Sequence, residues 1–181
     1  MRLNHVNITI GKRGTGKTTH ILKLIERHRK KVLIVDTIDH ESYRKYRAVS
    51  PEMLPAWKKG IIRVYGHNFE DVFYQLAHNV TNALIVFEDC TKYIRGYIPD
   101  DVRNFIVDSK QKNLDLIFLY HGFGMVQPDM FRLSDSITLF KTNENIERYA
   151  GKIPSFEEVK QVNKIVQNSN NPYINHSIKI Y

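Results

Sequence analysis

Residues 11–20 read Gly-Lys-Arg-Gly-Thr-Gly-Lys-Thr-Thr-His, and this stretch decides the fold. It follows the short apolar run Val6-Asn7-Ile8-Thr9-Ile10, which reads as a strand over 5–10. It opens a segment, Lys17 to about residue 29, with Ile21, Leu22 and Ile25 at inward helical spacing. Gly11 to Thr18 satisfies G-x-x-x-x-G-K-[ST], the phosphate-binding loop known as the P-loop, in the strand-then-helix context that the motif requires. The residue types follow from the task of holding an anion. Glycines let consecutive backbone N–H groups point into one concavity, and the following helix adds its positive dipole end. The cradle therefore comprises Gly11, Lys12, Arg13, Gly14, Thr15 and Gly16. Lys17 is expected to reach the β- and γ-phosphates of ATP, Thr18 to ligate Mg²⁺ through its hydroxyl, and Thr19 to touch the α-phosphate. The extra cations Lys12 and Arg13 have three readings: assistance to the phosphates, contact with a neighbouring subunit, or plain exposure in a loop.

A phosphate cradle says nucleotide but not what happens to it. The complementary element is Ala83-Leu84-Ile85-Val86-Phe87-Glu88-Asp89, an apolar strand that delivers two carboxylates at its C-terminal end, where open α/β sheets bind ligands. By order alone, Glu88 is assigned to the metal and Asp89 to polarising the attacking water, both reaching the phosphates from an adjoining strand. In the ordinary alternative, Asp89 caps a helix and Glu88 ends a strand in solvent.

Other segments fit around these two. Val32 to Val35, ending at Asp36, completes a βαβ unit with the first strand and helix. Residues 61–65, 116–120 and 137–140 read as further strands. Asn68 is expected to cap a helix through Val72, Phe73, Leu76 and Ala77, and Pro99-Asp100 to open one through Val102, Phe105 and Ile106. The basic stretch Glu41 to Lys59, interrupted by Pro51 and Pro55, reads as partly helical. Ser155-Phe156-Glu157-Glu158 reads as a capping box before a helix with Val159, Val162, Ile165 and Val166 on one face. The alternating tail, Tyr173 to Tyr181, reads as a strand at a sheet edge. Strands alternating with helices predict an α/β fold of three layers, a P-loop NTPase with a mostly parallel central sheet and an added C-terminal strand. The 181 residues suit one domain, with its core over about 5–142.

Composition narrows the setting. A 42% hydrophobic and 25% charged chain is globular in type, which argues against disorder. Cys90 is the only cysteine, so an intramolecular disulfide is excluded, and its simplest role is a small buried apolar residue. The lack of a long apolar run argues against membrane insertion and for a cytoplasmic protein. The formal charge of +8 favours a polyanionic partner such as DNA.

With these motifs in view, the chain resembles the FtsK–HerA branch of P-loop ATPases, in particular small viral genome-packaging and zonula-occludens-toxin-like ATPases. The likeness rests on GKRGTGKTT at 11–19, LIVFEDC at 84–90, an arginine-bearing helix near Arg103, and NLDLIFLYHGFGMVQPDM at 113–130. It implies two strands in sequence between the P-loop strand and the carboxylate strand, matched by 32–35 and 61–65. It also implies a polar sensor of the γ-phosphate after the next strand, usually glutamine. Here that position falls to His121 or Gln127. The family's homo-oligomeric rings, hexamers or pentamers, further imply an arginine supplied to the neighbour's site, with Arg103, Arg95 and Arg132 as candidates. So read, the protein is a DNA-translocating ATPase of viral packaging, in the host cytoplasm or on the virion, docking on a capsid or portal protein. Lys92, Tyr93, Arg95 and Tyr97 interleave cations with aromatics in the manner of a single-strand-binding surface. Two other readings compete: a P-loop kinase using the basic region 43–47, and a phage morphogenesis or extrusion ATPase.

Overall fold

A computed structural model of the chain describes residues 4–28, 31–36, 38–94 and 96–180. Each apolar run becomes a strand, and each amphipathic segment between them a helix. In order these are β1 (Val6–Ile10), α1 (Lys17–His28), β2 (Lys31–Asp36), β3 (Arg47–Ala48), β4 (Gly60–Tyr65), α2 (Phe69–Asn79), β5 (Ala83–Phe87), α3 (Asp100–Asp108), β6 (Leu114–Tyr120), α4 (Pro128–Arg132), β7 (Ser136–Leu139), α5 (Phe156–Asn168) and β8 (His176–Lys179). The sheet has eight strands in the order β3-β4-β2-β5-β6-β1-β7-β8. Every pairing is parallel except β7 with β8, which is antiparallel. The expected α/β architecture and the terminal edge strand are both present.

Period-two alternation sorts the strands between two cores. Leu33, Val35, Ile85, Phe87, Leu116 and Phe118 face the larger core, where α2 to α5 contribute Phe73, Phe105, Phe131 and Val159. Val32, Ile34, Leu84, Val86, Ile117 and Leu119 face the other side, covered by Ile21 and Ile25 of α1 and by Tyr43. That division makes three layers. It also explains why β5 and, apart from Asp115, β6 are apolar: both their faces are buried. Phe87 and Phe118 stack across the β5–β6 pair with ring centroids 4.6 Å apart. Cys90 is buried, as its residue type suggested.

Some local expectations hold, the partly helical character of residues 41–59 among them, and others are corrected. The stretch from Glu41 to Lys59 forms 3₁₀ turns at Glu41–Tyr43 and Pro51–Ala56 with β3 between them. Pro51 and Pro55 lack the N–H groups that an α-helix there would need. Asn68 caps α2 as expected, accepting from the Glu70 N–H. Ser155 does not complete a capping box: its φ of 48° is left-handed, and its hydroxyl reaches the carbonyl of Ile180, at 3.5 Å, instead of the helix. The carboxylate strand is not next to the P-loop strand either, because β6 lies between β5 and β1.

The loop after β2 is fixed by a buried ion pair. Arg63 of β4, 6% exposed, donates to Asp36 at 3.2 Å and also to Asp39, while Asp36 accepts from the backbone N–H groups of Ile38 and His40. Replacing Arg63 by Met would leave Asp36 buried beside no cation. The expected cost is about 3 kcal/mol, read as a lower urea midpoint with an unchanged m-value.

Candidate active site

Parallel pairing brings the ends of β1, β6 and β5 to the same edge of the sheet. The Gly11 N–H donates to the Tyr120 carbonyl at 3.2 Å, Lys12 N–H to Lys141 at 2.9 Å, and Glu88 N–H to Val35 at 3.0 Å. The loop after β1, the carboxylates after β5 and His121 after β6 therefore meet. Between them lies a cleft of about 510 Å³, floored by Gly14, Gly16, Lys17 and Thr18 with Thr19 and Arg13 beside them. Glu88, Asp89 and His121 form the opposite wall, and Ile38, His40 and Tyr173 complete it.

Within the loop, Gly14 (φ 78°) and Gly16 (φ 87°) adopt left-handed backbone that side chains with a Cβ rarely tolerate. Not every residue of the motif faces the cleft. Gly11 is buried against Phe140, where any Cβ would collide. Thr15 turns back to the Lys12 carbonyl at 2.8 Å, and the Lys12 ammonium turns away to Asn143 at 3.0 Å. These three brace the loop from behind, and Arg13 is the extra cation that reaches the cleft.

Lys17 is 7% exposed, and its ammonium donates to the carbonyls of Gly11 and Lys12. Burial lowers its pKa to about 8, against the pull of Glu88 and Asp89 and with a further push from Arg13. Glu88 is also 7% exposed, so it is not the solvated strand end of the ordinary alternative. Burial pushes its carboxyl pKa up, opposed by the Tyr43 hydroxyl, which donates to Glu88 Oε2 at 2.8 Å. Asp89 has a left-handed φ of 48° and makes no side-chain cap. Instead it accepts from the Thr91 hydroxyl at 2.5 Å and lies 3.6 Å from His121 Nε2. Burial, then Lys17, lowers the His121 pKa and so favours the neutral ring, which has one donor and one acceptor nitrogen. Its Nδ1 is buried with no hydrogen-bond partner among the described residues. The cleft thus holds two cationic and two acidic side chains, with the imidazoles of His40 and His121 among them. A Thr18 hydroxyl and a Glu88 carboxylate on one cleft are hard oxygen donors of the kind Mg²⁺ takes while keeping several waters.

Of the two sensor candidates, the structure brings His121 to the cleft; Gln127 lies at the start of α4, away from it. Arg103 and Arg132 both pair with Asp129 and neither lines the cleft. Arg95 lies outside the described residues. Tyr93, read as part of an exposed basic-aromatic surface, is packed instead. Its ring stacks on Phe69 at 4.0 Å, and its hydroxyl reaches the Glu88 carbonyl at 3.3 Å, because the chain turns inward after Asp89. Lys92 and Tyr97 remain exposed. Sequence reasoning missed Tyr43, His40 and Tyr173. The only trace of Tyr43 was an aromatic just beyond the second strand, in an otherwise polar stretch.

No protein-family model matches the chain, and no curated protein matches it. Among solved structures it is similar to the genome-packaging NTPase B204 of Sulfolobus turreted icosahedral virus 2 in complex with ATPγS, with a TM-score of 0.79 and 18% identity over 99% of this chain and 94% of that one. The same NTPase with AMPPCP gives 0.76 and 18% identity over 98% and 93%. More distantly, a KaiC-like protein of Pyrococcus horikoshii gives 0.51 and 12% identity over 80% and 76%. These likenesses show that the chain shares its α/β fold with these proteins.

The lowered pKa of Lys17 makes a linkage prediction. Between pH 8 and 10.5 the unfolded chain binds more protons at this lysine than the folded one does, so stability rises with pH across that window; below it the full penalty stands. Its size is on the order of 3 kcal/mol, partly offset by the two carbonyl bonds. Without nucleotide at pH 7, Lys17→Met should raise Tm by about 2–6 °C. Calorimetry from pH 7 to 10.5 should find this gain shrinking as pH rises.

Proposed function

We propose that the chain is a Mg²⁺-dependent ATPase that hydrolyses ATP to drive DNA translocation in viral genome packaging. One observation carries this reading: Lys17 and the loop at the start of α1 share a cleft with the buried carboxylates Glu88 and Asp89. The B204 protein, similar over nearly the whole of both chains, is a genome-packaging NTPase crystallised with ATPγS, which supports both the nucleotide and the biological role.

In this reading the backbone N–H groups of Gly14 to Thr19 surround the phosphates, and Lys17 leaves its two carbonyl partners to donate to the β- and γ-phosphate oxygens. The anion would restore to Lys17 the charge that burial disfavours. Thr18 and Glu88 would hold Mg²⁺, which when bound neutralises charge on the phosphate oxygens and keeps Glu88 ionised. Asp89 orients a water in line with the γ-phosphorus and accepts its proton as the bond forms. His121, beside Asp89, donates to the γ-phosphate or to that water. Tyr43 fixes the rotamer of Glu88 through its hydroxyl. The transition state gathers charge that one subunit's cations do not fully meet. A homo-oligomeric ring in which Arg103, Arg132 or Arg95 reaches the neighbour's cleft would supply the rest, Arg103 and Arg132 exchanging Asp129 for the phosphate. The basic surface favours DNA as the track, with a capsid or portal protein as the dock. Arg44 and Lys45, the basis of a kinase lid, are engaged with Asp39 and Glu26, so the kinase reading gains nothing from the geometry.

Phosphate release from ATP, measured with and without double- or single-stranded DNA, tests the reading. Glu88→Gln and Asp89→Asn should each lower kcat at least 100-fold, with ATP binding retained in at least one of them. Two fully active variants would refute the assignment, and a phosphorylated acceptor in place of free phosphate would favour a kinase. Light scattering with ATP and Mg²⁺ should detect particles of several subunits.

A further inference from the structure

One wall of the cleft comes from the far end of the chain. Tyr173 lies in the turn between α5 and β8, is 63% exposed, and lines the same cleft as the P-loop. Its ring stands over the loop backbone: a Cβ built on Gly16 would lie 3.2 Å from Tyr173 Cδ1 and 3.6 Å from its Cβ. The turn that carries it is held. Tyr173 N–H donates to Asn171 Oδ1 at 2.9 Å, Asn171 N–H to Ser169 Oγ at 3.1 Å, and the Lys141 ammonium, just past β7, to the Ser169 carbonyl.

Sheet order tells which end of a nucleotide this ring meets. Glu88 and Asp89 follow β5, two strands to one side of β1, and Tyr173 precedes β8, two strands to the other side. A triphosphate with its γ end among Lys17, Glu88 and His121, running past Thr18 to Thr19, leaves the cradle on the Tyr173 side with ribose and base next in line. An aromatic ring fixed at its backbone and open on its outer side suits a planar π-system, and stacking on such a ring contributes roughly tenfold or more to affinity per base, whichever base it is.

We propose that Tyr173 is the platform on which the nucleobase of the bound nucleoside triphosphate stacks. This rests on the P-loop reading above. It accounts for an exposed aromatic held against the glycine turn of the cleft, where packing of the core gives it no other task.

Titration calorimetry with a non-hydrolysable ATP analogue, a GTP analogue and inorganic tripolyphosphate tests the proposal. Tyr173→Ala should weaken both nucleotides about tenfold and leave tripolyphosphate unchanged, while Tyr173→Phe binds all three as the wild type does. Tyr173→Trp adds an indole whose fluorescence should be quenched by the nucleotides but not by tripolyphosphate. Unaltered nucleotide affinity in Tyr173→Ala, with tripolyphosphate bound normally, overturns the proposal alone. An equal loss for tripolyphosphate makes the ring a brace for Gly16 and also overturns it. A wild-type chain that binds none of the three, or a Lys17→Ala chain that binds them all as well as wild type, overturns the P-loop reading and the proposal with it.

Discussion

The parallel pairing of β6 with both β1 and β5 is the constraint on which the site depends. It sets three strand ends at one level, so that a glycine loop, a pair of carboxylates and a histidine from distant parts of the sequence face one another. A one-residue slip in either ladder would turn the side chains of a strand to the opposite face and break up both cores. The apolar content of β5 and β6, buried on both sides, is therefore what holds the polar groups in place. Phe87 stacked on Phe118 lies one residue short of Glu88, so packing order passes directly into the position of the carboxylate.

The cleft is costly to the folded chain. A lysine and a glutamate each have their charged form disfavoured by burial, and a histidine Nδ1 has no hydrogen-bond partner among the described residues. None of the three is what a sequence selected for stability alone would place there. The neighbouring Arg63–Asp36 pair shows a different solution to burying charge, with direct contact between opposite signs and several N–H donors on the carboxylate. The cleft therefore differs from the neighbouring ion pair in leaving Lys17 and Glu88 without close partners of opposite charge among the described residues.

Most of the architecture was legible in the sequence because its signals are local. Val32 to Val35, Ala83 to Phe87 and Leu116 to Tyr120 are apolar runs bounded by polar residues, and the glycine spacing at 11–18 specifies a backbone shape. The carboxylates could be read because they end such a run. Other features were hidden because they arise from contacts distant in sequence. No local pattern places β6 between β5 and β1, links Tyr43 to Glu88 across 45 positions, or brings a residue beyond position 170 to the first loop. Ser155 has the residue spacing of a capping box, but the approach of Ile180 gave its hydroxyl another partner. Tyr93 was read as exposed from its charged neighbours, while its burial follows from the inward course of the chain after Asp89.

The reversed direction of the last strand has a consequence for the cleft. Because β8 runs opposite to β7, His176 at its beginning lies beside Leu139 at the end of β7, so the segment preceding β8 arrives at the P-loop edge of the sheet. A parallel β8 in the same place would have brought that segment to the far edge. The ribbon that carries Tyr173 is thus part of the wall of the cleft. An occupant that touches Tyr173 only while the ribbon is docked would disfavour its fraying, and a molecule that binds only the docked ribbon would tighten the hold on the occupant by the same equilibrium factor.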